Sequence, residues 1–233
     1  MNDSPRPRRP FAGVASSSAV RPESSTTARL AVPAYFGPWE TREWDVLLAR
    51  RPAVVIVNPA NGPGTKPHVG YCEIIDRCSS VGAEVFGYLS TRWLRRSSAE
   101  IAEGVARYRD WYGVERVFFD EIPNGSRVGR IDVLSGLAAM TPTGGTVFNC
   151  GQPVPERWYR LLPNVRWGTF EGGPEQLAGS SFVGPPERQM HFVHSVTEAS
   201  VAEVQTELDR RRVHYACVTD DLLPNPWDVC PRG

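Results

Sequence analysis

This sequence predicts an α/β fold of one kind, a (β/α)8 TIM barrel in a single domain. Two observations carry that expectation. From Arg29 onward, eight apolar β-type runs alternate with helix-type patterns. Regular β-then-α order implies a parallel sheet with right-handed crossovers, and eight such units close a barrel. A length of 233 residues suits one barrel rather than two domains. A doubly wound open sheet is the alternative. It would carry a glycine-rich phosphate turn after its first strand, and the turn here, YFGPWE (35–40), has neither GxGxxG nor a P-loop.

The runs follow in order. Strand 1 is LAVPAYF (30–36), after which Trp44, Leu47 and Leu48 fall at helical spacing. Strand 2 is AVVIVNP (53–59), closed by the turn-rich PANGPGTKP, and a helix over 70–81 puts Ile74, Ile75 and Cys78 on one face. Strand 3 is AEVFGYL (83–89). Ser97 and Glu100 then form a capping box, with Ile101, Val105 and Tyr108 in helical register. Strand 4 is VERVFFDE (114–121), followed by a helix through Ile131, Leu134 and Leu137. Strand 5 is GTVFNCG (145–151), with a short amphipathic piece, PERWYRLL, behind it. Strand 6 is VRWGTFE (165–171), and its connector to residue 189 holds at most a weak helix. Strand 7 is MHFVHSV (190–196), with a clear helix over 197–212, and strand 8 is VHYACVTDD (213–221).

The barrel spans 29–233. Residues 1–28 are rich in Pro, Ser, Thr and Arg and read as a disordered tail. Their Arg-Pro start resembles the first part of an export signal, but FAGVASSSAV is too short and too polar for its apolar centre. The compartment is therefore left open. Lys plus Arg equals Asp plus Glu at 26 each, so no basic field draws nucleic acid or an anionic membrane, and neither is expected as a partner. No apolar stretch is long enough to span a bilayer. The five cysteines (72, 78, 150, 217 and 230) form no CxxC pair and no Cys/His zinc spacing. Neither a metal, a cofactor nor a disulfide framework is expected, Cys217 reads as a small buried hydrophobe, and the chain is expected to be a monomer.

In a barrel the carboxyl ends of all strands share one mouth, so they predict the site. They are Tyr35, Asn58, Tyr88, the pair Asp120–Glu121, Asn149, Glu171, His194 and the pair Asp220–Asp221. Charge at the exit of the apolar run VFF is costly unless paired or used. Carboxylates supply both the acid and the nucleophile of glycoside hydrolysis. Asn and Asp match sugar hydroxyls, and aromatic rings match the apolar faces of sugars. Each residue also has a plainer reading. Asp120 and Glu121 alternate sides of a strand, so one of them can be structural. Asn58 can order its own turn, His194 can be a core histidine, Asp220 and Asp221 can cap a turn, and Trp93 and Trp227 can be packing.

PAYFGPW, VVIVNPANGPG, GYLSTRW, WYGVERVFFDEIP and VTDDLLPNPWD together resemble the spherulin-4 family, from about Ala31 to Asp228. That family is similar to glycoside hydrolase family 135, barrel enzymes of fungi that cut α-1,4-linked N-acetylgalactosamine units in galactosaminogalactan. The resemblance implies an acidic pair after strand 4 and a glutamate after strand 6, here Asp120, Glu121 and Glu171. It implies secreted or membrane-anchored enzymes, whereas this chain shows no clear signal.

The expected function is hydrolysis of an α-linked amino-sugar glycan. Asp120 attacks or stabilises the anomeric centre, Glu171 protonates the leaving oxygen, which requires a raised pKa in an apolar wall, and Glu121 orients a sugar hydroxyl or tunes Asp120. Tyr35, Asn58, Tyr88, Asn149, His194 and Asp220 bind the sugar. A barrel that grips glycan without cutting it is the alternative. A metal-dependent hydrolase on Asp120, Glu121, Asp220 and Asp221 is a third reading.

Overall fold

A computed structural model of the chain describes residues 28–125 and 130–231. All but Ala28 of the expected tail lies outside the described residues. Eight parallel strands close a barrel in sequence order. The strands are β1 (Arg29–Ala34), β2 (Val54–Val57), β3 (Glu84–Ser90), β4 (Arg116–Asp120), β5 (Thr146–Asn149), β6 (Val165–Gly172), β7 (Gln189–Val193) and β8 (Tyr215–Val218). The helices between them are α1 (Thr41–Ala49), α2 (Val69–Ser80), α3 (Ser98–Tyr112), α4 (Arg130–Ala138), α5 (Glu156–Leu161), α6 (Pro174–Gly179) and α7 (Val201–Arg211). All eight expected strands and their order are present.

Local chemistry sets the ends. The capping box forms as expected: Glu100 Oε2 accepts from the Ser97 N–H at 2.8 Å, and Ser97 Oγ accepts from the Glu100 N–H at 3.3 Å. Helix α3 ends at Gly113, in the left-handed region at φ 66°, where glycine costs nothing. The connector after β6 holds α6 and one turn of 3-10 helix at Pro186–Arg188, more structure than its composition suggested. Strands 7 and 8 are shorter than expected. Ser195 turns left-handed at φ 58°, and the Thr219 hydroxyl ties the next turn by donating to Asp221 Oδ2 at 3.0 Å.

Side chains alternate between the lumen and the helical layer. Cross-strand register gives the lumen set. Arg29 pairs with Tyr215, Ala31 with Val54, Val54 with Glu84, Phe86 with Arg116 and Tyr88 with Phe118. Inside, Arg166 lies over Phe86 (4.8 Å) and Tyr215 (5.3 Å) and is gripped by both oxygens of Glu84 (3.0 and 2.8 Å). Above it the rings of Tyr88, Phe118, Phe192 and Trp227 follow one another at 6.5, 5.8 and 5.9 Å. Outside, Phe119, Phe148, Trp167 and Trp158 pack at 5.4–5.6 Å. Burial on both faces is why the strands read as continuous apolar runs.

Gly87 in β3 shows how tight the outer layer is. A Cβ there would stand 2.6 Å from the Tyr108 ring, whose hydroxyl donates to Tyr88 O at 2.8 Å. Gly87→Ala is predicted to destabilise the barrel by about 1–3 kcal/mol, the usual cost of overpacking. Urea denaturation would reveal it as a lower midpoint at unchanged slope.

Candidate active site

The lumen parity that puts Arg116 and Phe118 inside also puts Asp120 inside, half-buried at the floor of the mouth. Its Oδ2 accepts from the Tyr88 hydroxyl at 3.0 Å, and its Oδ1 from Asn149 Nδ2 at 2.9 Å. The same Asn149 nitrogen donates to Glu171 Oε2 at 2.9 Å. One amide therefore joins the two carboxylates. With both bonds at 2.9 Å, the two accepting oxygens stand no more than about 6 Å apart. Trp227 Nε1 donates to Glu171 Oε1 at 3.2 Å, so both oxygens of Glu171 are also held.

Simple alternation would not bring Glu171 here. Gly168 pairs with Met190 and faces the lumen, so Glu171, three residues on, should face the helices. A β-bulge intervenes: Gly168 pairs with Met190 and Phe170 with His191, leaving Thr169 extra. The bulge reverses parity, and Glu171 pairs with the lumen residue Phe192. Thr169 is buried. Its hydroxyl donates to Gln189 Oε1 (3.2 Å) and accepts from His191 Nε2 (3.1 Å). Burial pushes His191 down to about 3, so the imidazole stays neutral in this role.

Two glycines make room for the bridge. A Cβ on Gly168 would sit 2.2 Å from Asn149 Oδ1, so any other residue would evict the amide. Gly151, at φ 60°, donates its N–H to that oxygen at 3.2 Å, which turns the amino group toward the carboxylates. Its own carbonyl accepts from the Glu171 N–H at 3.1 Å.

Burial, and next the charge of Glu171, push the Asp120 carboxyl up to about 6, while the Glu121 backbone, Asn149 and Tyr88 pull it part of the way back. Burial, then Asp120, raise the Tyr35 and Tyr88 phenols as well, so both stay neutral donors. Tyr35 and Tyr88 meet edge to face at 5.3 Å. His194 is lowered by burial, and its Nδ1 contacts Ser195 Oγ at 2.9 Å.

The other expected site residues fall differently. Glu121 is left-handed at φ 58° and is bound by the Ser90 hydroxyl, so it flanks the floor instead of sharing it. Asn58 lies at the lumen, but its Oδ1 accepts from the Gly62 N–H at 2.8 Å and so orders its own turn. Asn149 is the bridge between acids, not a free sugar ligand. Asp220 is exposed and lies on the opposite parity to Tyr215, Cys217 and Thr219, so β8 does not direct it into the mouth. The four oxygen ligands considered for a metal are thus dispersed. No group of three His, Cys, Asp or Glu among the described residues could hold one.

Packing is the plainer reading of Trp227. It packs, at 5% exposure, and it also positions Glu171. The segment after β8 carries it across the mouth. Trp227 O accepts from the Tyr35 N–H at 3.0 Å, the Cys230 N–H donates to Glu43 at 2.9 Å, and the Arg50 guanidinium donates to Pro231 O. Trp39 (72% exposed) and Trp93 (54% exposed) stand on the loops after β1 and β3, so packing does not account for them.

A family model, spherulation-specific family 4, matches residues 29–232. No curated protein matches the chain. Among solved structures, a β-mannanase of Streptomyces thermolilacinus is similar at 12% identity and TM-score 0.47, over 86% of this chain and 82% of its own. The mannohexaose complex of a Thermomonospora fusca β-mannanase is similar at 9% identity and TM-score 0.49, over 87% and 82%. A 4-hydroxy-tetrahydrodipicolinate synthase of Methylacidiphilum fumariolicum SolV is similar at 16% and 0.44, over 82% and 66%. Likeness at this level, shared by mannanases and a synthase alike, carries no information on chemistry.

The raised Asp120 carboxyl has a consequence for stability. Its folded value of about 6 exceeds the ordinary 3.8, so folding favours the protonated acid. That contribution is complete below about pH 4 and is lost as pH rises through about 6. Asp120→Asn is therefore predicted to be more stable than the parent above pH 6, by up to about 3 kcal/mol, the gain fading toward pH 4. Thermal melting across that range tests it, and a gain equal at pH 4 and pH 8 would contradict it.

Proposed function

The chain belongs to spherulation-specific family 4, and we propose that it is a glycosidase that cleaves an α-linked amino-sugar glycan with retention at the anomeric carbon. One observation carries the reading: two carboxylates in a barrel mouth accept from the same Asn149 nitrogen at 2.9 Å each, which keeps their accepting oxygens within about 6 Å of each other. Retaining pairs stand at about 5–5.5 Å, whereas inverting pairs need roughly 6.5–9.5 Å to admit a water. The substrate class comes from the resemblance of the family to galactosaminogalactan hydrolases. The wall suits it, with neutral phenols, an uncharged imidazole and carboxylates that match hydroxyls and amines.

Placement divides the labour. Asp120 sits at the floor, its oxygens fixed by Tyr88 and Asn149, and attacks the anomeric carbon in the state where the one proton of the pair rests on Glu171. Glu171 is exposed at the rim and gives its proton to the glycosidic oxygen, which leaves with the reducing-side sugar. A water then enters, loses a proton to Glu171 and displaces Asp120 from the sugar. Trp227 and Asn149 hold Glu171 in line. Ser90 holds Glu121 beside the floor, where it supports the loop or meets a sugar hydroxyl.

Asp120→Asn and Glu171→Gln are each expected to lower kcat on α-1,4-linked galactosaminan, acetylated or free-amine, by about 10²–10⁴-fold. Because the reaction needs one proton on the carboxylate pair, kcat/KM should fall as pH rises through about 6, where the Asp120 carboxyl beside charged Glu171 gives up the last one. Reducing-end release across pH 4–8 reads both effects. Glycan binding with no new reducing ends would support the non-catalytic alternative, and full activity in either variant would overturn the roles.

A further inference from the structure

We propose that the hollow beside Glu171, between the loops after β6 and β7, is a leaving-group subsite that cradles one neutral or amine-bearing sugar on the reducing side of the cleaved bond. The inference rests on the glycosidase reading above. The hollow encloses about 460 Å³ and is lined by Pro174, Glu175, Gln176, Ser195, Thr197 and Ser200 with Gly173. That volume lies within the roughly 300–1,000 Å³ of small-molecule sites.

Its position follows from what holds Glu171. Asn149 faces that carboxylate toward Asp120. One wall of the hollow begins at Gly173, two residues past Glu171. The other begins at Ser195, whose hydroxyl meets His194 at 2.9 Å. His194 meets Trp227 edge-on at 6.4 Å, and the Trp227 indole holds Glu171. One wall therefore continues the strand that carries the acid, and the other meets, through His194, the indole that holds it. A leaving oxygen protonated by Glu171 carries its sugar away from Asp120, toward this hollow.

The lining specifies the occupant. It offers three hydroxyls, one amide and one carboxylate, with no cation. Gln176 spends its oxygen on the Gly173 N–H at 2.8 Å, which leaves its amino group to face a ligand. Thr197 and Ser200 fix each other, hydroxyl to hydroxyl at 3.1 Å and Thr197 N–H to Ser200 Oγ at 2.9 Å. Ser195 holds a left-handed φ of 58°, pinned where its N–H donates to Asp221 O at 2.9 Å. A non-glycine residue there is strained, and the strain holds a hydroxyl at the junction of His194 and the hollow. The Glu175 carboxylate repels an acidic sugar and tolerates an amine. With no aromatic ring in its lining, the hollow holds a sugar by its edge, loosely enough to release it after cleavage.

Blocking the hollow should separate two kinds of substrate. In α-galactosaminyl fluoride the leaving group is fluoride, which needs no sugar site. In an α-1,4-linked galactosamine tetrasaccharide the leaving group is a sugar. Glu175→Trp and Thr197→Trp, one on each loop, are each expected to keep fluoride turnover within about twofold and lose about tenfold or more in kcat/KM on the tetrasaccharide. Both probes are used in free-amine and N-acetylated forms, and melting temperatures confirm the fold. Equal losses on both probes in a folded variant, or no loss on either, overturn the subsite. If the parent protein turns over the fluoride and the blocked variants still cut the tetrasaccharide normally, only the subsite falls. A parent inert to both probes removes the glycosidase reading and the subsite with it.

Discussion

A single amide nitrogen, Asn149 Nδ2, donates to two carboxylates at 2.9 Å each, and much of the mouth is arranged so that it can. Two acids that share one hydrogen-bond donor in a half-buried lumen repel each other. An amide with two divergent N–H bonds is a neutral group that can serve both without choosing between them. It works only if its oxygen is satisfied elsewhere, which the Gly151 N–H does at 3.2 Å, and only if nothing occupies the space opposite. Gly168 leaves that space. The pairing of β5 with β6 thus places a side chain against an absent side chain, a contact that reads as a gap in packing until its purpose is considered.

Among the described residues, no Lys or Arg side chain bonds either Asp120 or Glu171. Asp120 is surrounded by phenols, an amide and a backbone N–H, and burial outweighs them, since its carboxyl rises to about 6. A nearby guanidinium would have lowered it and stabilised the fold. Arginine is used instead at the opposite end of the lumen, where Arg166 is committed to Glu84 and stacked over Phe86 and Tyr215. Among the described residues, the barrel therefore pairs its charges at the base and leaves two carboxylates without a cation at the mouth, a pattern typical of functional sites.

The fold was legible because each strand is buried on both sides and each is followed by a helical period. The site was legible in part, and parity explains which part. In RVFFD, alternation from Arg116 and Phe118 leads to Asp120. In YACVTD, the same rule leads from Tyr215 and Cys217 to Thr219 and leaves Asp220 on the other parity, just past the end of β8. Glu171 shows where counting stops. In VRWGTFEG nothing marks Thr169 as an extra residue, and alternation points Glu171 the wrong way. The bulge is a tertiary event, held by Gln189 and His191 from the next strand. The resemblance to a family reached Glu171 without passing through that geometry. Trp227 was hidden for another reason. It lies past the last strand, where a Pro-rich tail gives no period, and only the closed barrel reveals that this tail must cross the mouth.

Backbone conformation separates the two acids of the pair Asp120–Glu121. Asp120 ends a regular strand, and its carbonyl accepts from the Thr91 N–H at 3.0 Å. Glu121 follows in the left-handed region at φ 58°, a conformation that removes it from the alternation of the strand. The Thr91 hydroxyl donates to the carbonyls of both residues, at 3.0 and 3.1 Å, and the neighbouring Ser90 hydroxyl binds the Glu121 carboxylate. The end of β3 thus clamps the end of β4 from backbone and side chain together. The loop after β3 is itself strained, with Arg92, Trp93 and Leu94 all left-handed in succession. Strain of this kind persists only where its surroundings over-determine it. Glu121 is one of the determinants, and its carboxylate is already engaged. That is the physical argument for giving the chemistry to Asp120 and the architecture of the mouth to Glu121.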